Sequence, residues 1–237
     1  MTFTIVARSE DLQLTGIAMA TSSPAVGNRC SFANPGAAVA FQSVAEPRLG
    51  AFGLKLMSMG YSAEKALKEL VDSDPGRGSR QIGIIDEDGR TAVYTGEHNI
   101  DWAGHIEGDG FIAMGNVLAG PRVVEAIADG YLSSAGKPFE DRLICAIEAG
   151  RDAGGQEEGQ ASASILTFGR ESYSRCDLRV DLHAEPIAEL RRVYDWYEPL
   201  VPYFVERARN HEIGRFKDYL KKHGHHREFS TRPPVIR

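Results

Sequence analysis

The sequence predicts an α+β fold: two stacked, mainly antiparallel sheets flanked by helices, a four-layer αββα sandwich. Three observations carry that expectation. Short β-branched or apolar runs come in neighbouring pairs joined by polar turns, the spacing of hairpins. Helix-periodic segments also come in pairs, within 49–72 and 121–152, between the strand groups. A doubly wound parallel sheet alternates single strands with single helices and needs a crossover between each pair of strands. Paired helices between hairpins favour antiparallel sheets packed face to face instead.

Thr2–Arg8 is rich in β-branched residues, and Leu14–Thr21 is a second apolar run after the polar turn Ser9-Glu10-Asp11, so a hairpin opens the chain. Gly36–Phe41 is almost wholly apolar, as a strand covered on both faces should be. From Leu49 to Asp72 the period becomes helical, with Gly60 separating two segments and Ser62 as N-cap of the second. Asp74-Pro75-Gly76 stops the helices. Gln81–Asp86 and Thr91–Thr95 then flank Glu87-Asp88-Gly89, the strongest hairpin signal in the chain. Gly110–Met114 is a further strand, read as ending at Gly115-Asn116.

Pro121 occupies a helix N1 position, followed by Val123, Val124, Ile127 and Tyr131 at helical spacing. A second helix runs from about Phe139 to Asp152 and ends at Gly154-Gly155. Ser162–Phe168 and Leu178–Leu182 read as closing strands, and the last strong helix begins near Pro186. Residues 1–210 are thus expected to form the αββα domain. Residues 211–237, with the run Lys221–Arg227 and Pro233-Pro234, lack a sustained apolar period and are expected to be a basic, His-containing C-terminal extension.

With 237 residues, 42% hydrophobic and 25% charged, the composition is that of a globular chain with one sizeable core. A net charge of −6 provides no basic field for phosphate backbones, so nucleic acid is not an expected partner. No apolar run approaches the ~20 residues that span a bilayer, and the opening lacks the basic-then-apolar layout of a secretory signal. The expected address is the cytosol, with no membrane partner. Cys30, Cys145 and Cys176 are scattered and odd in number, which indicates neither a disulfide framework nor a zinc knuckle. His211, His223, His225 and His226 lack acidic or thiol partners at ligand spacing, so no metal and no cofactor are expected.

Thr2 is the residue with chemistry of its own. With Met1 removed it carries a hydroxyl and a free α-amine together, and an α-amine has a reference pKa near 8. Such an amine can take the proton of its own hydroxyl, so nucleophile and base share one residue. Thr2 also reads simply as a β-former at a strand start, and a retained Met1 blocks the amine.

Several segments carry a family likeness: Met1–Arg8, Ser23–Gly27, Gly36–Ser43 with Pro47–Gly50, Arg80–Gly83 with Tyr94–Gly96, Trp102–His105, Gly115–Gly120, Glu148–Gly150 and Asp177–Asp181. In collinear order over roughly residues 2–195 they resemble a bacterial family catalogued as a domain of unknown function, number 1028, and placed in the N-terminal-nucleophile (Ntn) hydrolase superfamily. The resemblance implies an αββα fold and suggests hydrolysis of an amide bond. One departure from the resemblance is Gln156–Ala161, where the family pattern leads one to expect an Asp followed by basic residues.

The expected catalytic set is Thr2, with Asn116 and the backbone of Gly115 as oxyanion donors at a strand end, where N–H groups are free. Asn116 also reads as a turn residue ahead of Pro121. Ser23, Gln42 and Ser43 follow strands that should neighbour Thr2 and are candidates to orient it. Arg29 is a candidate for a substrate carboxylate or for lowering the nucleophile's pKa, and reads equally as an exposed loop arginine; His105 is a candidate for proton carriage, and a lone loop His also reads as structural or solvated. The expected function is an Ntn amidohydrolase for a small amide or peptide-like substrate, within a homo-oligomer. Two alternatives stay open: a noncatalytic binding protein with Met1 retained, and a hydrolase with an internal nucleophile, Ser23 or Cys30.

Overall fold

The structure, a computed structural model, describes residues 1–11 and 13–225. It is a mixed α+β fold with two antiparallel sheets. The strands are β1 (Thr2–Arg8), β2 (Thr15–Thr21), β3 (Ser31–Asn34), β4 (Ala37–Ser43), β5 (Arg80–Ile85), β6 (Thr91–Thr95), β7 (Trp102–Gly108), β8 (Phe111–Leu118), β9 (Ser162–Phe168) and β10 (Ser174–Val180). A six-stranded sheet runs β10-β9-β2-β1-β8-β7, and a four-stranded sheet runs β3-β4-β5-β6. The helices are α1 (Pro47–Ser58), α2 (Ala63–Ser73), α3 (Pro121–Ser133), α4 (Phe139–Asp152), α5 (Pro186–Tyr197), α6 (Val201–Arg207) and α7 (Phe216–Lys222).

Side-chain alternation sorts the strands into faces. Val6, Ile17, Met19, Ile112 and Met114 of the larger sheet share one buried cluster with Ala38, Ala40 and Ile85 of the smaller, so these are the two inner faces. Val39, Phe41, Ile82 and Ile84 point the other way and pack with Leu56, Ala63, Ala66 and Leu70 of α1 and α2. α3 and α4 pack on β1, β2 and β8. Gly16 admits α4 closely, since a Cβ there would meet Leu143 at 2.8 Å and Phe139 at 3.1 Å. Contacts divide the chain into Met1–Arg192 and Val193–Arg237. In the second unit the Tyr203 hydroxyl donates to Gly214 O at 2.8 Å, and its ring meets Tyr219 at 5.1 Å.

The opening hairpin is closed by Ser9, whose Oγ accepts from Gln13 N and Leu14 N. Ser62 caps α2, Pro121 starts α3, and α4 spans Phe139–Asp152, all as the sequence patterns indicate. β3 and β7 were missed: the first is short, and the second is an edge strand with Gly104, His105 and Glu107 breaking any apolar alternation. β4 runs through Gln42 and Ser43 rather than stopping at Phe41, and β10 begins at Ser174, ahead of the expected Leu178. β8 does not end at Gly115-Asn116. It continues to Leu118 with one residue more than β7, since Gly104 pairs with Gly115 but Trp102 with Leu118. The turn-like pair is a β-bulge. In the tail α7 is a helix within a stretch that shows no sustained apolar period; His226, Arg227 and Pro233-Pro234 lie outside the described residues. Among the described residues no helix is long and apolar enough to cross a membrane.

Candidate functional site

At one end of the inter-sheet space, four adjacent strands each place a polar residue at the same register. Ser162 of β9 pairs with Thr21 of β2, Thr21 with Thr2 of β1, and Thr2 with Asn116 of β8. None of the four is more than 4% exposed. Facing them from the smaller sheet are Gln42 and Gln81, both fully buried.

Thr2 Oγ1 lies 3.1 Å from Thr21 Oγ1, and the Thr21 hydroxyl donates to the Met1 carbonyl. A threonine hydroxyl has one hydrogen. Thr21 spends its own on Met1, so Thr2 is the donor between the two. Behind this pair runs an amide network: Thr4 Oγ1 donates to Gln42 Oε1 at 2.5 Å, and Gln42 Nε2 donates to Gln81 Oε1 at 2.8 Å and, more weakly, to Thr2 O at 3.4 Å. Asn116 Nδ2 reaches the same Gln81 Oε1 at 3.1 Å. Gln81 Nε2 faces Thr95 Oγ1, Gly104 O and Gly115 O at 3.0, 3.1 and 2.9 Å, and Thr95 in turn meets His105 Nδ1 at 2.9 Å.

Two buried groups here lack partners among the described residues: Asn116 Oδ1, and both polar atoms of Gln156. Gln156 lies in the loop between α4 and β9. That loop is anchored beside the site, because Ala119 N donates to Gly155 O and Ala161 N to Thr21 O. Backbone strain gathers nearby as well. Ser43 (φ 70°) follows Gln42, and the β-branched Val117 (φ 54°) follows Asn116, both in the left-handed region.

The Met1 amine has its pKa lowered, chiefly by burial and in part by Arg29, against the opposing influence of Cys30 and Glu158. Arg29 donates to Pro24 O, Ala25 O and Ser23 Oγ. Burial pushes the Cys30 thiol up to about 11, which weighs against it as an internal nucleophile. Ser23 Oγ faces a guanidinium rather than a base. Partial burial lowers the pKa of His105, opposed by Glu107.

Of the expected residues, Thr2, Gln42 and Asn116 come together, Gly115 contributes its carbonyl, and His105 terminates the network. Ser23 and Arg29 pair with each other near the terminus, while Ser43 is the last residue of β4, next to Gln42 and opposite Arg80. The expectation that Gly115 and Asn116 stand at a strand end is corrected, since both lie within β8, where Gly115 pairs with Phe3 and Gly104, and Asn116 with Thr2. Thr21, Gln81, Thr4 and Thr95 were missed. Thr21 was legible in principle, because a hairpin closed between Ser9 and Leu14 sets it opposite Thr2. A cleft of about 250 Å³ bounded by Gly36, Tyr61, Glu87 and Arg90 lies at the opposite end of β4. Among the described residues no group of three or more His, Cys, Asp or Glu is placed to hold a metal ion.

A model described as a family of unknown function (DUF1028) matches residues 2–190. No curated protein matches the chain. The crystal structure of protein SPO2555 from Silicibacter pomeroyi, assigned to the same family model, is similar with a TM-score of 0.77 and 29% identity, covering 83% of this chain and 85% of that one.

Proposed function

The chain belongs to the DUF1028 family, and from that premise we propose that it is an N-terminal-nucleophile amidohydrolase acting on a small amide or peptide-like substrate through Thr2. The observation that carries the reading is the buried Thr2 hydroxyl, already donating to Thr21 within a polar row between two sheets. The order of layers, α1 and α2, then two sheets, then α3 and α4, supports an αββα sandwich of the Ntn type. The family match begins at Thr2 itself.

In this reading processing makes Thr2 the first residue. Its α-amine takes the hydroxyl proton while Oγ1 bonds to the substrate carbonyl carbon. The carbon–nitrogen bond then breaks, and the departing nitrogen carries that proton away. Water adds to the resulting ester, releases the acid and restores the hydroxyl. The Thr21 hydroxyl, which donates to the Met1 carbonyl while Met1 is present, becomes free to donate to the substrate oxygen as it gains charge. That role passes to Thr21 from Gly115 and Asn116. Among the described residues Arg29 keeps two N–H groups beyond its three bonds, enough to receive a substrate carboxylate.

Intact-mass measurement of native protein, followed by a screen against simple amides and N-acyl amino acids, tests the proposal. The expected results are a chain one methionine short and hydrolysis that Thr2→Ala abolishes. A uniformly retained Met1, or an active alanine variant, overturns it. One observation favours a second reading, a noncatalytic binding protein: with Met1 in place, Thr2 is only 4% exposed and Thr21 is engaged by Met1. Retained Met1 in native material supports that alternative.

A further inference from the structure

The amide network fixes which atom of Asn116 is left over. Gly104 O and Gly115 O are carbonyl oxygens and only accept, so the end of Gln81 that meets them is its NH₂. Gln81 Oε1 therefore faces Gln42 and Asn116, and each must present its NH₂ there, since two oxygens would repel. Gln42 then turns its own oxygen to the Thr4 hydroxyl. Asn116 Oδ1 has no such outlet: it is fully buried and without a partner among the described residues. Swapping its oxygen and nitrogen is blocked by Gln81.

The leftover atom is an acceptor, so the group that completes this site is a donor. Asn116 is the register partner of Thr2 on the same face, with Cβ atoms roughly 5 Å apart by strand geometry. The bulge at Val117 re-aims the strand there. While Met1 is attached, the Thr2 nitrogen is an amide with a single hydrogen; removal of Met1 turns it into an amine with at least two.

Resting on the reading that Thr2 becomes the first residue, we propose that Asn116 Oδ1 is the acceptor that holds the α-amino group of Thr2. Asn116 is then a positioning residue for the base rather than a donor to the oxyanion. It carries no charge, so it aims the amine without holding a proton on it, which suits a base working near neutral pH. Around the amine of the unprocessed chain, that of Met1, the charged and titratable groups are Cys30 and Glu158, which raise its pKa, and Arg29, which lowers it.

The test uses the full chain released from an N-terminal fusion by cleavage directly before Thr2. Its crystal structure is expected to place Thr2 N about 3 Å from Asn116 Oδ1; a nitrogen out of reach, or a water occupying the oxygen instead, overturns the proposal. Asn116→Asp in the same chain sets a carboxylate beside the amine and raises its pKa. Acetylation of the α-amine by an N-hydroxysuccinimide ester at neutral pH should then slow about tenfold, the effect of one pKa unit. An unchanged rate in folded variant overturns the proposal. The crystallographic measurement needs no variant, so it decides the matter even where Asn116→Asp fails to fold. Intact mass of the native protein judges the Thr2 reading separately, because cleavage generates the Thr2 amine whether or not the cell does.

Discussion

Replacing Gln81 with methionine should be among the most destabilising single changes in the core, although it removes almost no volume. Methionine is unbranched and close to glutamine in size, so the cavity contribution is small. What is lost is an amide at the centre of five contacts: Gln42 and Asn116 donate to its oxygen, and Thr95, Gly104 and Gly115 lie around its nitrogen. Thr95 keeps His105, and Gln42 keeps its longer contact to Thr2 O. Asn116 Nδ2 and at least one strand carbonyl lose their side-chain partner inside a fully buried site. At about 1–3 kcal/mol for each group left unpaired, Gln81→Met should cost about 4 kcal/mol. That is a large share of the roughly 5–15 kcal/mol that holds a domain folded. Urea denaturation at neutral pH, with the slope compared between variants, measures it. A loss under about 1 kcal/mol would mean that the network contributes little and that the amide orientations derived from it carry no weight.

Two further outcomes follow from titratable groups elsewhere in the first unit. Asp74 has its pKa lowered, first by the Arg80 guanidinium at 2.8 Å and then, against burial, by the Gly76 amide. A carboxylate whose folded pKa lies below its ordinary 3.8 stabilises the fold above that value and ceases to do so as pH falls through the folded pKa. Wild-type protein should therefore lose more stability than Asp74→Asn between about pH 5 and about pH 3, read by denaturant titration; parallel losses would remove Asp74 from the account. Burial raises both Cys30, to about 11, and Cys176, while Cys145 is only half-buried. Iodoacetamide at neutral pH should label Cys145 first, with the other two reacting only on unfolding; early labelling of Cys30 by peptide mapping would contradict its burial.

The mixed α+β class with its two antiparallel sheets was legible because its signals are local. Pro121, Ser62 and the Glu87-Asp88-Gly89 turn act within a few residues of themselves, and α4 follows from the spacing of Leu143, Ile144 and Ile147 alone. The site was less legible because its parts are joined across sheets. Gln42 and Gln81 sit in different strands 39 residues apart and meet at 2.8 Å. No pattern within either strand marks the other as a partner. Gly115-Asn116 misled for a related reason. Both residues favour turns, yet the neighbouring strands hold them inside β8, and the chain takes up the local preference as a bulge with Val117 in the left-handed region rather than as a strand end.

The rows behind Thr2 show that the polar end is not something the architecture requires. Two steps along the strands, Met19, Thr4 and Met114 stand in line; two further, Ile17, Val6 and Ile112 fill the same space with hydrocarbon. The identical backbone thus accommodates an apolar core where one is present. Burying Ser162, Thr21, Thr2, Asn116, Gln42 and Gln81 instead demands a hydrogen bond for each group. Asn116 Oδ1 goes without one among the described residues, and Ser43 and Val117 add strained backbone next to it. Sequences that depart from local and packing preferences at one place do so where something other than stability is being served. Here the departures converge on the first strand's opening residue, and that convergence argues for chemistry at Thr2 more strongly than any one of the contacts.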